Sequence, residues 1–216
     1  MQMLARIHAG DDPAAMAAGA AAARAAGFSD CELMVARPLQ SLPRLDVRPI
    51  SLLLDPDPLV RGADDVLVGI AALLDSATRC GVQCLTLPAG LPAGLADDEP
   101  PVSYESAFQS VFRTLDQAKH VAAACSVRIA LAVPHARFLL SPLEAADLID
   151  AVNSPHVGLC VVTAAAQRIG SATDWLRIAG GRLFLVDMIE TANQDSLIAA
   201  LRSLRYDGPV VVHCAG

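Results

Sequence analysis

Residues 206–216 read YDGPVVVHCAG. Asp207-Gly208-Pro209 is a turn, because glycine and proline take backbone angles that interrupt regular elements. The three valines that follow are β-branched and suit a short buried strand, which ends on His213. Seven earlier runs have the same character: 3–8 MLARIH, 31–36 CELMVA, 48–54 RPISLLL, 82–87 VQCLTL, 127–133 VRIALAV, 157–162 VGLCVV and 182–187 RLFLVD. That makes 209–213 the eighth strand.

Between these runs lie alanine- and leucine-rich stretches of helical length, at 12–26, 60–79, 103–125, 143–151, 165–179 and 194–204. The link between strands two and three, RPLQSLPRLD, is too short and proline-rich for a full helix. Near-continuous apolar strands separated by helices indicate a parallel sheet covered on both faces. A doubly wound open sheet needs a glycine-rich turn after its first strand to hold phosphate. Here that turn is HAGDDPAAM, with Gly10 alone and two aspartates where an anion would sit. Eight strands favour a compact (β/α)8 TIM barrel, expected as one domain over residues 1–216, with its chemistry at the C-terminal strand ends and the final helix missing after strand eight. If His213 points inward, so does Val211, while Val210, Val212 and Cys214 face outward. With no helix left to cover them, the expectation is a homo-oligomer covering the outer face of strand eight, packing by the N-terminal segment, or a truncated chain.

Composition narrows the function classes. The chain is 54 % hydrophobic, 18 % charged and only 4 % aromatic, so it is globular with an aliphatic core. Net charge is -7 and Lys119 is the single lysine. No basic stripe is present to neutralise a phosphate backbone, which argues against nucleic acid as a partner. The six cysteines form no CxxC pair and sit mostly in apolar runs, as buried thiols of a reducing compartment do. No run reaches the length of a membrane span, and MQMLARIHAGDD lacks the features of a secretory leader. No membrane association and a cytoplasmic location are expected.

Several phrases carry a resemblance. AAARAAGFSDCELMV, AAACSVRIALAV, LIDAVNSPHVGLCVVTAAA, GGRLFLVDMIE and LRYDGPVVVH follow one another in the order found in the xylose-isomerase-like barrels. That superfamily holds sugar-phosphate isomerases and epimerases and repair endonucleases of the endonuclease IV type. The resemblance implies a divalent metal at the barrel mouth, held by carboxylates and histidines at the strand ends. Those ligands do not carry over. Ala132, Val162, Ala165 and Leu87 stand at four of the positions, Asp187 replaces a histidine with Glu190 at its partner position, and His213 replaces a closing glutamate. Only Glu32 keeps an expected carboxylate. Alanine and valine supply no ligand, so no cofactor is expected and the family's metal is not expected at its usual position.

Polar residues remain near the C-terminal strand ends: His8, Glu32, Asp55, Asp187, Glu190 and His213, with His135 and Arg137 after strand five. Strands one and eight are neighbours in a closed barrel, so His8, Asp187 and His213 form a candidate cluster for a transition metal or for acid–base chemistry. Glu32 reads either as a fourth catalytic group or as a salt-bridge partner. Asp187 has an alternative pairing with Arg182 or Arg205. His135, Arg137 and Glu190 are candidate ligand-binding residues, and a small-molecule ligand is the expected partner. Ala132 and Val162 are expected to give the mouth an apolar floor. Two readings follow from these residues. One is a degenerate isomerase-like barrel, non-catalytic or repurposed for small-molecule binding. The other is an active isomerase, epimerase or lyase on a sugar-like substrate, using the relocated His8/Asp187/His213 site.

Overall fold

The computed structural model describes residues 1–8, 12–35, 37–54, 63–89, 103–134, 138–188 and 194–212. Eight parallel strands close on themselves in sequence order. They are β1 Gln2–His8, β2 Asp30–Val35, β3 Arg48–Leu54, β4 Cys84–Pro88, β5 Arg128–Val133, β6 Val157–Val162, β7 Leu183–Met188 and β8 Pro209–Val212. Pairing of β8 with β1, through Leu4 and Val211, shuts the barrel and leaves no sheet edge. The helices are α1 Pro13–Ala25, α2 Ala63–Arg79, α3 Tyr104–Cys125, α4 Pro142–Val152, α5 Thr163–Ile169, α6 Ala172–Ala179 and α7 Gln194–Ser203.

Local chemistry explains the boundaries. Asp12 caps α1 by accepting a hydrogen bond from the Ala14 amide at 2.9 Å, with Pro13 in the first helical turn. The acidic residue after β1 therefore satisfies the helix's own start. Ser103 caps α3 in the same way, accepting from the Ser106 amide at 3.1 Å. The single helix expected at 165–179 is two helices. Gly170 ends α5, and Ser171 caps α6 by accepting from the Asp174 amide at 3.2 Å.

The strands' two faces bury different cores. Outward residues such as Leu33, Leu52, Leu85 and Val186 pack with helix residues including Met16, Leu73, Leu115 and Leu176. Each such side chain contributes about 1.5–3 kcal/mol on burial. Inside the barrel Leu4, Ile50, Cys84, Ala130, Ala132, Cys160, Leu185 and Val211 form a second cluster. Among the described residues, β2 alone sends no apolar side chain there. Its inward residue at that level is Glu32, wholly buried.

The bare outer face expected on β8 is not present. Val210 is fully buried, and Val212 is only 9 % exposed, within the single chain. Val210 belongs to the same buried outer cluster as Ile7, Met16, Leu197 and Leu201. These two outward valines are therefore covered within the single chain, while Cys214 lies outside the described residues. The turn before it is clamped by Tyr206, whose hydroxyl donates to the Pro209 carbonyl at 2.8 Å. Gly208 permits this, since a Cβ there would lie 2.5 Å from the Tyr206 hydroxyl. Among the described residues no helix is long and apolar enough to cross a membrane.

Candidate functional site

Strand parity carries Leu4, Arg6 and His8 on the same face of β1. Leu4 lies in the barrel's interior cluster, so Arg6 enters the barrel one step nearer its C-terminal end. An arginine in that position requires partners, because an unpaired buried charge costs several kcal/mol. The adjacent strand supplies the first. Glu32 is in register with Arg6, and its Oε2 accepts from Nε at 2.8 Å and from Nη2 at 2.5 Å. The second is Asp187 of β7, whose Oδ2 lies 2.9 Å from Nη1. Side-chain exposures of 6 %, 0 % and 9 % for Arg6, Glu32 and Asp187 make this a buried ionic triad.

Neutral hydroxyls complete it. The second Glu32 oxygen accepts from Thr86 Oγ1 at 3.1 Å, and Thr86 is 3.1 Å from the Ser51 hydroxyl. The Thr163 hydroxyl donates to the Asp187 backbone carbonyl at 3.0 Å, tying the end of β7 to the start of α5. Burial works against the charge on Arg6, but Glu32 and Asp187 outweigh it and raise its pKa above the ordinary value. Below the triad, burial pushes the Cys84 thiol up to about 12 and the Cys160 thiol up as well, so both are neutral packing groups.

The structure gathers the sequence-derived candidates only in part. Glu32 and Asp187 converge on one cation. Asp187 pairs with Arg6, not with Arg182 or Arg205; Arg182 instead pairs with Asp150. His8 lies at the exposed C-terminal end of β1. His213, His135, Arg137, Glu190 and Asp55 lie outside the described residues. Ala132 lines the interior with Val162 packed against it, as expected, yet the floor is not apolar throughout, because the Arg6 triad shares it. Arg6 is the residue that sequence reasoning missed. Its signal was the two-residue period: if His8 faces inward, so does Arg6, and a cation inside the barrel must then be matched by carboxylates on neighbouring strands. Among the described residues, no three His, Cys, Asp or Glu side chains come together as metal ligands do.

A family model described as xylose isomerase-like TIM barrel matches residues 52–215. Among solved structures, the D-allulose 3-epimerase from Methylomonas sp. in complex with D-allulose is 20 % identical with a TM-score of 0.81, over 98 % of this chain and 83 % of that one. An AP endonuclease, family 2, from Brucella melitensis is 15 % identical with a TM-score of 0.77, over 98 % and 92 %. The 3-keto-D-glucoside 4-epimerase from E. coli is 15 % identical with a TM-score of 0.76, over 98 % and 91 %. At these identities the likeness is one of fold. No curated protein sequence matches the chain.

Proposed function

The chain belongs to the xylose isomerase-like TIM barrel family, and from that premise we propose that it is a repurposed member, holding a small polyhydroxy molecule at the C-terminal end of the barrel without metal-dependent isomerisation. One observation carries this reading: a single guanidinium, that of Arg6, engages two buried carboxylates, Glu32 and Asp187, at 2.5–2.9 Å.

A divalent ion needs several oxygen or nitrogen ligands at about 2.0–2.3 Å. One oxygen of each, Glu32 Oε2 and Asp187 Oδ2, is already engaged by Arg6, and Glu32 Oε1 accepts from Thr86. A second cation about 4 Å from the guanidinium would meet a repulsion of about 4 kcal/mol per unit charge at an effective dielectric of about 20. Ala132 and Val162, at positions where the family resemblance implies ligands, add no donor. Among the described residues the donor set does not suit a divalent ion.

What remains suits binding. The C-terminal end of the barrel combines a fixed cation and two neutralised carboxylates, braced from within by the buried Thr86 and Ser51 hydroxyls, with apolar floor residues. A molecule with a carbon ring face and hydroxyl edges matches that mixture. Two of the structural neighbours are sugar epimerases, and one of them was solved with D-allulose. A cytoplasmic setting is part of the proposal, supported by the buried, unpaired thiols of Cys31, Cys84 and Cys160.

The test is calorimetric titration with Mn²⁺ and Co²⁺, paired with D-allulose and D-fructose incubations read by chromatography and by amide NMR shifts. Expected are no saturable metal binding, no epimerisation, and sugar-induced shifts at residues such as Thr86 and Val162. Stoichiometric metal with epimerisation lost in Glu32→Gln would overturn the repurposed reading. An absence of sugar-induced shifts would overturn the sugar-like ligand.

A further inference from the structure

The opposite, N-terminal end of the barrel holds a second arginine. Arg128 opens β5 and by strand parity faces inward with Ala130 and Ala132. Its guanidinium lies over the ring of Phe184, 5.2 Å from the centroid. Such a contact holds the planar group by its face, while its N–H donors radiate from the edge and need acceptors elsewhere. Among the described residues no ion pair and no side-chain hydrogen bond satisfies them. Phe184 reaches this position because residue 158 is glycine: a Cβ there would stand 2.7 Å from the ring.

Arg128 and Phe184 line a cavity of about 310 Å³ together with Gly180, Gly181, Arg205 and Asp207. Two cations face one carboxylate, in a chain whose net charge is -7. Gly181 borders open space, with nothing within 4 Å of where a Cβ would be. The volume is at the lower bound of ligand pockets and fits a compact molecule.

We propose that this cavity is an oxyanion site that takes the phosphate group of a small phosphorylated ligand. Arg128 binds it through the paired N–H donors of its fork, whose geometry matches phosphate, and Arg205 adds a second charge from the rim. The site is independent of the barrel mouth and of the function assigned there.

The experiment is an NMR titration of the full chain with inorganic phosphate, following the Arg128 Nε–H resonance, with acetate and chloride run in parallel. Phosphate should saturate the Arg128 shift, and Arg128→Gln should weaken binding about tenfold or more. Arg205→Gln should weaken it less. Gly181→Glu, at an exposed position with ordinary backbone angles, should block it by filling the cavity with like charge, and it decides the matter if Arg128→Gln does not fold. The proposal is overturned by no saturable shift up to about 50 mM phosphate, by an equal response to chloride, or by unchanged affinity in Gly181→Glu. Acetate binding as tightly as phosphate would overturn the phosphate assignment and make the site one for carboxylates.

Discussion

Arg6 and Asp187 are 2.9 Å apart, Nη1 to Oδ2, although their strands are not neighbours. Strand β8 lies between them, and the residue it presents at this level is Val211, in register with Asp187 on one side and Leu4 on the other. A valine is too short to separate them, so the arginine passes over it and joins β7 to β1, while Glu32 joins β1 to β2. The seam where the barrel closes, at its shortest strand, is thereby bridged by a buried ionic network.

Such a network is costly to break on one side only. Arg6→Met should destabilise the fold at pH 7 by about 3–5 kcal/mol, because two carboxylates are left buried without their cation. Adding Glu32→Gln and Asp187→Asn to the same chain should recover most of that loss. Equilibrium urea denaturation of the single and triple variants measures both. A single variant within about 0.5 kcal/mol of the parent would mean the triad is not a structural unit.

Asp30, at the start of β2, makes a pH prediction. Burial opposes its ionisation, but hydrogen bonds from Ser29, Gln2 and Arg48 outweigh that and hold the carboxyl below its usual 3.8. A folded-state pKa lower than the unfolded one means the group stabilises the fold above the unfolded value and loses that contribution as pH falls through the folded one. Asp30→Asn should therefore cost about 1–2 kcal/mol at pH 7, and its stability should meet the parent's as the pH drops below 3.8. Denaturation midpoints followed across that range give the answer, and a gap that widens on acidification contradicts it.

Gly158 on β6 should not tolerate even a methyl group. A Cβ would sit 2.6 Å from the Arg182 backbone oxygen and 2.7 Å from Phe184. The ring can turn, but the carbonyl belongs to the backbone, so Gly158→Ala should lower stability by about 1–3 kcal/mol. Thermal denaturation checks it, and a neutral result would show that the end of the barrel can shift.

Thiol accessibility separates the cysteines. Cys31, Cys84 and Cys160 are buried, and burial pushes Cys31 and Cys84 up to about 12, while Cys80 and Cys125 are half-buried. Brief alkylation of the native chain near pH 8, followed by peptide mass spectrometry, should label Cys80 and Cys125 and spare Cys31, Cys84 and Cys160 until denaturant is added. Early labelling of Cys84 or Cys160 would mean that the barrel interior opens readily.

The eight strands and the helices between them were legible in the chain because each depends on local chemistry. β-branched runs, alanine-rich stretches and caps such as Ser103 act within a few residues of one another, and eight strands with helices between most of them leave the closed barrel as the economical solution. The split at Gly170 and Ser171 was legible in principle too, since a glycine followed by a capping serine is a local signal. Partnerships were not. That Asp187 meets Arg6 and not Arg182, that Glu32 faces the interior, and that the outside of β8 is covered without a further helix all depend on barrel stagger and helix position. Those follow from closing eight strands at once. Residues 181 positions apart in the chain become neighbours only when β8 joins β7 to β1, and that closure adds Asp187 to the pair Arg6 makes with Glu32 across β1 and β2.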